Sequence, residues 1–244
     1  MEKIPKNNPG QSNPEIFWVD AEMLSQFAGD QEIQKYVHHL NIGLQRKHRI
    51  YWFSKRIFDM FFSTLLILLT SPLLLLIAIA IKVESKGPVF FLQQRIGHRF
   101  KLFTIFKLRT MHNDIDRSSI SVVTGSDPGM YRPGLANDPR LTRVGRTLRK
   151  FSLDELPQLF NIFLGDMTFV GPRPLTILES TSIPEWALPR YSVPLGITGL
   201  GQITNRNLIV STSRFEPDLT YVETCSWSLD LKILWKTLFV FISE

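Results

Sequence analysis

Residues 60–81 read MFFSTLLILLTSPLLLLIAIAI, a run of 22 residues without a formal charge. A helix that spans a bilayer needs roughly 20 predominantly apolar residues. The segment is therefore long enough to cross a membrane. Basic residues stand on both sides of it, Lys55 and Arg56 before and Lys82 and Lys86 after.

A proline interrupts this apolar segment near its middle, at Ser71-Pro72. Proline lacks the backbone donor and presses against the carbonyl of Leu68, at a cost of ~3 kcal/mol in a helix interior. The hydroxyls of Thr70 and Ser71 can bind the carbonyls that such a kink frees. Positive charge on both flanks favours a helix-break-helix hairpin, because a spanning helix usually concentrates it on the cytoplasmic side. From the residues alone, a re-entrant and a spanning helix remain open alternatives.

Composition limits the class of protein and its partners. A chain of 244 residues can hold one domain with an extension, and its net charge of +6 favours acidic partners such as nucleic acid, anionic lipid or phosphorylated substrates. Its one cysteine, Cys225, excludes an internal disulfide. No CxxC or HExxH spacing occurs, which argues against a structural zinc site.

Three other regions carry weaker signals. Residues 1–50 predict a flexible N-terminal extension without a secretory signal. Residues 112–139, rich in Asp, Ser, Gly and Pro, predict either a mobile lid or disorder. Residues 231–244, LKILWKTLFVFISE, are too short to span and predict either an amphipathic interfacial helix or a helix packed in the core.

Basic side chains recur in the part that follows the apolar segment. An extended segment at residues 101–111 places Lys107 and Arg109 on one side, two positions apart. A helical face at spacings of three and four is predicted to hold Arg143, Arg146, Arg149 and Lys150. This face is either a solvated surface or part of a site, and it leads directly into a pair of carboxylates.

The pair is Asp154-Glu155, within SLDELPQ at residues 152–158. Ser152 and Glu155 match a capping box, which is a purely structural explanation. Pro157 opposes it, because proline prefers the first position of a helix. We therefore predict a helix that begins at Pro157 and ends at Gly165. Its predicted apolar stripe consists of Leu159, Phe160, Phe163 and Leu164.

Carboxylates at this place suit phosphoryl chemistry. The helix dipole and the neighbouring arginines are expected to keep both ionised near neutral pH. An ionised Asp154 can act as a nucleophile toward phosphorus, and Glu155 beside it can help to hold Mg²⁺. Arginines bind phosphate oxygens and offset charge in the transition state.

A further arginine follows in Pro172-Arg173-Pro174. Each proline fixes its own φ and restricts the residue before it, so Arg173 is held in an extended frame. The turn is either an ordinary surface turn or a device that presents Arg173 to a phosphate or a base.

These motifs together resemble the bacterial sugar transferase family, the monotopic phosphoglycosyl transferases that start polysaccharide and glycoconjugate assembly. The resemblance covers roughly three quarters of the chain, from about Lys55 to Thr237. The matching pieces, in order, are KRIFD, the apolar run with Ser71-Pro72, GPVFFLQQRIG, FKLRTM, DPRLTRVGRTLRKFSLDELPQLFNIFLGDMTFVGPRP, GITGLGQI, NRN and DLTYVE.

The resemblance implies an enzyme that transfers a sugar 1-phosphate from a UDP-sugar to a polyprenyl phosphate such as undecaprenyl phosphate, with release of UMP. Asp154 would be the nucleophile of a covalent intermediate, and Asp154 and Glu155 would hold Mg²⁺. Substrate-binding residues implied by the matching motifs are Lys107, Arg109, Arg149, Pro172, Arg173, Pro174 and Arg206. No nucleic-acid partner is implied, and a homo-oligomer is an open alternative.

The resemblance also implies a fold and a location. The fold would be mixed α/β and mostly helical, with a re-entrant membrane hairpin at residues 51–84, broken at Ser71-Pro72, and a cytoplasmic domain at 85–244 with amphipathic interfacial helices. The protein would lie in the bacterial inner membrane with its catalytic domain on the cytoplasmic face. It resembles a minimal form without the four-helix domain of longer relatives.

Some positions depart from the family pattern. Gly201 replaces a usual alanine, Leu195 separates a proline and a glycine that are normally adjacent, and Phe100 stands at a common glycine. A basic membrane adaptor and a metal-dependent phosphohydrolase remain the alternative functions. The sequence does not identify the sugar.

Overall fold

The computed structural model describes residues 48–112, 138, 140–181, 183–204 and 215–242. Within these ranges the fold is mixed α/β and mostly helical, as predicted. The strands are β1 (Phe90–Ile96), β2 (Leu102–Leu108), β3 (Thr168–Val170) and β4 (Gly196–Thr198). The helices are α1 (Arg49–Glu84), α2 (Arg143–Lys150), α3 (Gln158–Leu164), α4 (Ile177–Thr181), α5 (Leu200–Thr204), α6 (Glu216–Thr224) and α7 (Trp227–Ile242). Short 3-10 helices lie at His98–Phe100, Leu153–Glu155 and Glu185–Ser192.

The apolar segment belongs to α1, a single α-helix of 36 residues with Pro72 inside it. It is the one helix in the described ranges that is long and apolar enough to cross a membrane. Within its most apolar stretch of 18 residues, 11% of the residues are buried. Thr70 donates to the carbonyl of Leu66 at 2.7 Å, and Ser71 to that of Leu68 at 2.8 Å. The hydroxyls therefore satisfy carbonyls next to the proline, as predicted. A re-entrant path through a membrane stays a prediction.

Both ends of α1 pack against the rest of the fold, while its middle is exposed. Near the first end, Asp59 accepts hydrogen bonds from Thr168 Oγ1 at 2.7 Å and from the backbone N–H of Phe169 at 3.2 Å. Near the second end, Ile77 and Ile81 are buried in one apolar cluster with Leu108 and Leu148. Between them, large side chains stand 64–67% exposed at Leu68, Leu69, Leu75 and Leu76.

Two small sheets shape the remainder. β1 and β2 form an antiparallel hairpin in register from Phe90 opposite Leu108 to Ile96 opposite Leu102. β3 and β4 pair in parallel. The largest core cluster joins α1, β2, α3, β3, α6 and α7. The helices on either side of the carboxylate pair, α2 and α3, both pack against α1.

Helix α3 lies where predicted, but its buried face differs from the predicted stripe. Phe160, Phe163 and Leu164 are 40%, 42% and 62% exposed, so the stripe was wrong at these three positions. A polar residue, Asn161, is fully buried instead. Its amide donates to the carbonyl of Thr104 and accepts from the backbone N–H of Phe106, at 2.7 and 3.0 Å. These bonds to β2 turn that face inward.

The helix ends as the sequence indicated, at Gly165. This glycine has a φ of +93°, in the left-handed region that favours glycine. Arg56 of α1 donates to the carbonyls of Ile162 and Phe163, both at 2.7 Å. The arginine thus caps the last turn of α3 and holds this helix to α1.

The C-terminal helix α7 combines the two predicted alternatives. Asp230 and Ile233 are buried in the core. Its other side exposes Leu231, Trp235, Leu238 and Phe239 by 51–64%. The helix therefore packs on the domain and also presents an apolar face, and contact of that face with a membrane stays a prediction.

Candidate active site

The carboxylate pair lies on a tight connection between α2 and α3. Ser152 adopts a left-handed conformation with a φ of 52°, and Leu153–Glu155 then form one turn of 3-10 helix. Ser152 makes no side-chain cap, so the capping-box explanation of Glu155 is wrong. The Glu155 side chain is free for another role.

That role begins with an ion pair across to the β-hairpin. Lys107 of β2 donates to Glu155 Oε1 at 2.9 Å, and the two side chains are 16% and 25% exposed. Burial would raise the pKa of Glu155, but the charges of Lys107, Arg173 and Arg95 outweigh it and lower that pKa. Glu155 is therefore held as a carboxylate.

Asp154 differs from its neighbour. Burial raises the pKa of the Asp154 carboxyl, Lys107 and Arg149 oppose this rise, and the charge of Glu155 adds to it. From the sequence, the helix dipole and the arginines are expected to dominate the ionisation of Asp154. The net rise of its pKa shows that burial has the larger effect. A desolvated carboxylate is less well hydrated, so it is a more reactive nucleophile once ionised.

The basic face of α2 forms as predicted, and Arg149 on it reaches toward the pair. Its Nε donates to Thr110 Oγ1 at 3.0 Å, and its charge lowers the pKa of Asp154. α2 approaches Thr110 very closely: a Cβ added at Gly145 would lie 2.0 Å from the Thr110 carbonyl oxygen. Because Gly145 has no side chain, α2 can lie this close to Thr110, and Arg149 on α2 is thereby held near the carboxylate pair.

Arg109 takes a different position from Lys107. Its guanidinium donates to the carbonyls of Lys86 and Ser85 at 2.7 and 2.8 Å, just beyond the end of α1. These contacts tie the residue after β2 to the segment that directly follows α1. A contact of Arg109 with substrate stays a prediction.

The Pro172-Arg173-Pro174 turn is held at all three of its backbone carbonyls. The oxygen of Pro172 accepts from Gly196 N at 2.9 Å, that of Arg173 from Arg190 at 2.7 Å, and that of Pro174 from Arg95 at 3.1 Å. The side chain of Arg173 is exposed, and within the described ranges no hydrogen bond to it is seen. The turn is thus a rigid support for one outward cation, and a contact of Arg173 with a phosphate or a base stays a prediction.

Arg190 is itself fixed by a buried ion pair. Its Nε and one terminal nitrogen donate to Asp218 Oδ2 at 3.0 and 2.8 Å, and the two side chains are 1% and 7% exposed. Sequence reasoning missed Arg190 and Asp218. Asp218 lies in the DLTYVE motif, but the motif gave it no role, and its contact with Arg190 depends on the packing of α6 on the 3-10 helix Glu185–Ser192.

Four of the predicted residues, Lys107, Glu155, Arg173 and Pro174, line one cleft. It is lined by Arg95, Ile105, Lys107, Glu155, Gln158, Arg173, Pro174, Gly196 and Ile197. The cleft brings together Glu155, Lys107 and the Pro-Arg-Pro turn, with Asp154 next to it in the chain. Arg95 and Gln158 were missed as site residues; the alternation of β1 places Arg95 but gives it no role. Arg206 lies outside the described residues.

The pair fits the magnesium prediction by its chemistry. Mg²⁺ is usually held by one or two carboxylates together with waters and substrate phosphates. Asp154 and Glu155 supply two such groups beside a cationic cleft. In the described part of the chain no cluster of three or more His, Cys, Asp or Glu side chains could form an all-protein metal cage.

Comparison with known proteins identifies the family. Residues 50–244 match the model of the bacterial sugar transferase family. An undecaprenyl-phosphate glucose phosphotransferase of Komagataeibacter xylinus is 40% identical over 80% of this chain, and the match spans 37% of that protein. A UDP-glucose:undecaprenyl-phosphate glucose-1-phosphate transferase of Caulobacter vibrioides is 43% identical over 75% of this chain and 67% of its own. The exopolysaccharide production protein ExoY of Rhizobium meliloti is 40% identical over 76% and 84%. The chain belongs to the bacterial sugar transferase family.

Proposed function

We propose that this protein transfers a sugar 1-phosphate from a UDP-sugar to undecaprenyl phosphate. UDP-glucose is the first donor to test, because relatives from Caulobacter vibrioides and Escherichia coli are named for that donor. The observation that carries the proposal is the Asp154-Glu155 turn beside a cleft lined by Arg95, Lys107 and Arg173. Such a cleft suits a diphosphate, since cations bind its oxygens and a carboxylate lies next to them.

The chemistry proceeds in two displacements at one phosphorus. A carboxylate oxygen of Asp154 attacks the phosphorus that bears the sugar, and the bond from this phosphorus to the bridging oxygen breaks. UMP leaves with the electron pair and with that oxygen. An oxygen of undecaprenyl phosphate then attacks the same phosphorus, which releases the Asp154 carboxylate and forms the diphosphate-linked sugar lipid.

Each side chain has a separate task in this scheme. Lys107 helps to keep Glu155 ionised and opposes the rise that burial causes in the pKa of Asp154. Arg173 offers a guanidinium to phosphate oxygens from its rigid turn. When bound by Asp154 and Glu155, Mg²⁺ would supply positive charge that neutralises the phosphates.

The exposed middle of α1 supports a re-entrant helix with both ends on one side of the membrane. A straight helix from Asp59 to Ile81 would be about 33 Å long, close to the ~30 Å hydrocarbon thickness. In a crossing helix these residues would lie at opposite faces of the bilayer, yet both contact the same folded domain. A bend at Pro72 removes this conflict, because proline is the usual cause of a sharp kink.

The catalytic proposal is tested by trapping the intermediate. The full chain is incubated with UDP-glucose and Mg²⁺ without lipid acceptor, and its peptides are weighed. The expected result is an added hexose phosphate on Asp154, lost when undecaprenyl phosphate is supplied. Asp154→Asn should show no adduct and no transfer, whereas Asp166→Asn, which changes an aspartate just beyond the C-terminal end of α3, should behave as wild type. Repeated absence of the adduct during active transfer would refute the nucleophile.

The same incubation separates transfer from hydrolysis. Sugar 1-phosphate released at the same rate with and without lipid acceptor would indicate a phosphohydrolase instead.

The topology is tested by labelling cysteines placed on either side of the apolar segment. Ile50 is 85% exposed and Lys101 is exposed, so Ile50→Cys and Lys101→Cys give accessible thiols, while the native Cys225 is buried. Both new cysteines should react with an impermeant reagent from the cytoplasmic side. Labelling from opposite sides would mean that α1 crosses.

A further inference from the structure

Arg95 is the least explained cation of the cleft. It lies on β1, is 8% exposed, and lines the cleft with Lys107 and Arg173. One terminal nitrogen donates to the Pro174 carbonyl at 3.1 Å and the other to Gln93 Oε1 at 2.7 Å. Its Nε is buried and has no hydrogen-bond acceptor within the described ranges. A buried donor without an acceptor is costly, so an acceptor is expected in the working state.

The charges around Arg95 also lack balance. Three cations line the cleft and one carboxylate, Glu155, opposes them there. Glu179 of α4 lies 3.5 Å from Arg95, but its carboxylate already accepts from the N–H and hydroxyl of Thr176 at 2.7 and 2.9 Å. Burial, and then the charge of Arg173, lower the pKa of Arg95 to about 10. A buried guanidinium at Arg95 and an exposed one at Arg173 line the same cleft, and their like charges favour an anion that both can bind.

We propose that Arg95 is a donor-binding residue whose Nε–H hydrogen-bonds a phosphate oxygen of the nucleotide, on the UMP side of the diphosphate. This inference rests on the proposed function. Arg95 would satisfy its free donor only when the nucleotide is bound, while its other nitrogens hold the Pro-Arg-Pro turn. The same side chain would thereby couple phosphate binding to the position of Arg173.

Binding of UMP and of uridine by the full-length protein in detergent tests this role, because the two ligands differ only in the phosphate. Arg95→Gln removes the positive charge, and uridine binding serves as the control for any shift of the Pro-Arg-Pro turn. Loss of a charge-assisted hydrogen bond predicts that the Kd for UMP rises about 10- to 100-fold. The Kd for uridine should change less than about twofold, and Arg95→Lys should recover part of the UMP affinity.

A purely structural role for Arg95 makes a different prediction. If it only holds the turn, UMP and uridine should weaken together in Arg95→Gln, and that result would overturn the proposal. Equal UMP affinity in wild type and variant would overturn it as well. Failure of the wild-type protein to bind UMP at all would instead contradict the proposed donor class and remove the basis of the inference.

Glu179→Gln provides a second test that leaves the cleft intact. An amide oxygen still accepts from Thr176, while the carboxylate that competes for Arg95 is gone. Since the Glu179 side chain is 41% exposed, its effect is screened, and the Kd for UMP should fall about two- to threefold. No change, or a weaker affinity, would count against Arg95 as a phosphate ligand even if Arg95→Gln did not fold.

Discussion

Asp230→Asn is expected to destabilise this protein severely, because Asp230 joins three helices. The carboxylate of Asp230, on α7, accepts from Lys55 and from Tyr51 of α1 through Oδ2, the latter at 2.8 Å. Tyr221 of α6 donates to Oδ1 at 2.8 Å, and its hydroxyl also lies 2.9 Å from the carbonyl oxygen of Val170. The network thus links α1 to β3, the strand that leads into the Pro-Arg-Pro turn.

The magnitude follows from the burial of the ion pair. The side chains of Lys55 and Asp230 are 4% and 1% exposed. Removing one partner of such a pair costs about 3–5 kcal/mol in the free energy of unfolding, because the other charge stays buried without compensation. In a chain of this size 1 kcal/mol corresponds to roughly 2–4 °C in Tm, so Tm should fall by about 6–20 °C.

Thermal unfolding of the full chain in one detergent, followed by tryptophan fluorescence, measures the effect. Glu223→Gln on the exposed side of α6 also changes a carboxylate to an amide and should leave Tm within about 2 °C of wild type. Lys55→Met added to Asp230→Asn removes the stranded charge and should restore part of the loss. A Tm for Asp230→Asn equal to that of the control, or no recovery in the double variant, would refute the reasoning.

Three further results are expected. Asp154→Asn should unfold at a higher temperature than wild type, by a margin that grows with pH. Because the pKa of Asp154 is raised in the folded state, the wild-type protein loses stability as pH rises through that folded-state pKa. Asparagine does not ionise, so the variant does not lose this stability. A Tm difference that shrinks with pH would contradict this reasoning. Lys107→Met should raise the pKa of both carboxyls of the pair and move the acid limb of the pH–rate profile for transfer to higher pH. Lys107→Arg should largely preserve that profile. An unmoved acid limb in the methionine variant would refute this role of Lys107. Gly145→Ala should cost roughly 1–3 kcal/mol of stability and lower activity, because its Cβ would collide with the Thr110 carbonyl. Thr147→Ala, on the exposed face of the same helix, should be nearly neutral. Equal Tm values for the two variants would show that α2 can shift freely.

Local signals predicted the elements of the site well. The proline and glycine that bound α3, the arginine face of α2 and the hydroxyls around Pro72 each act through neighbours within about four residues. Helix caps, helical faces and proline effects depend on such short distances, so the sequence alone is sufficient to infer them.

Long-range contacts were not predictable in the same way. The buried Asn161 contradicts an apolar stripe because its amide pairs with β2, more than fifty residues earlier. Arg190 and Asp218 meet only after α6 packs on the 3-10 helix before β4. Burial of Asp154, which raises its pKa, likewise depends on the assembled domain. Each of these depends on tertiary packing, which the pattern of single residues does not encode.

The two ends of α1 cap the two helices that flank the carboxylate pair. Glu84, at the last position of α1, accepts from the backbone N–H groups of Arg143 and Val144 at 2.6 and 3.0 Å, so the end of α1 caps the first turn of α2. Arg56 near its beginning caps the last turn of α3. The carboxylate pair lies between these two helices. Under the proposed function, the depth of α1 in a membrane would fix the height of Asp154 relative to the lipid headgroups, so that the phosphate of a polyprenyl chain would meet it at the interface.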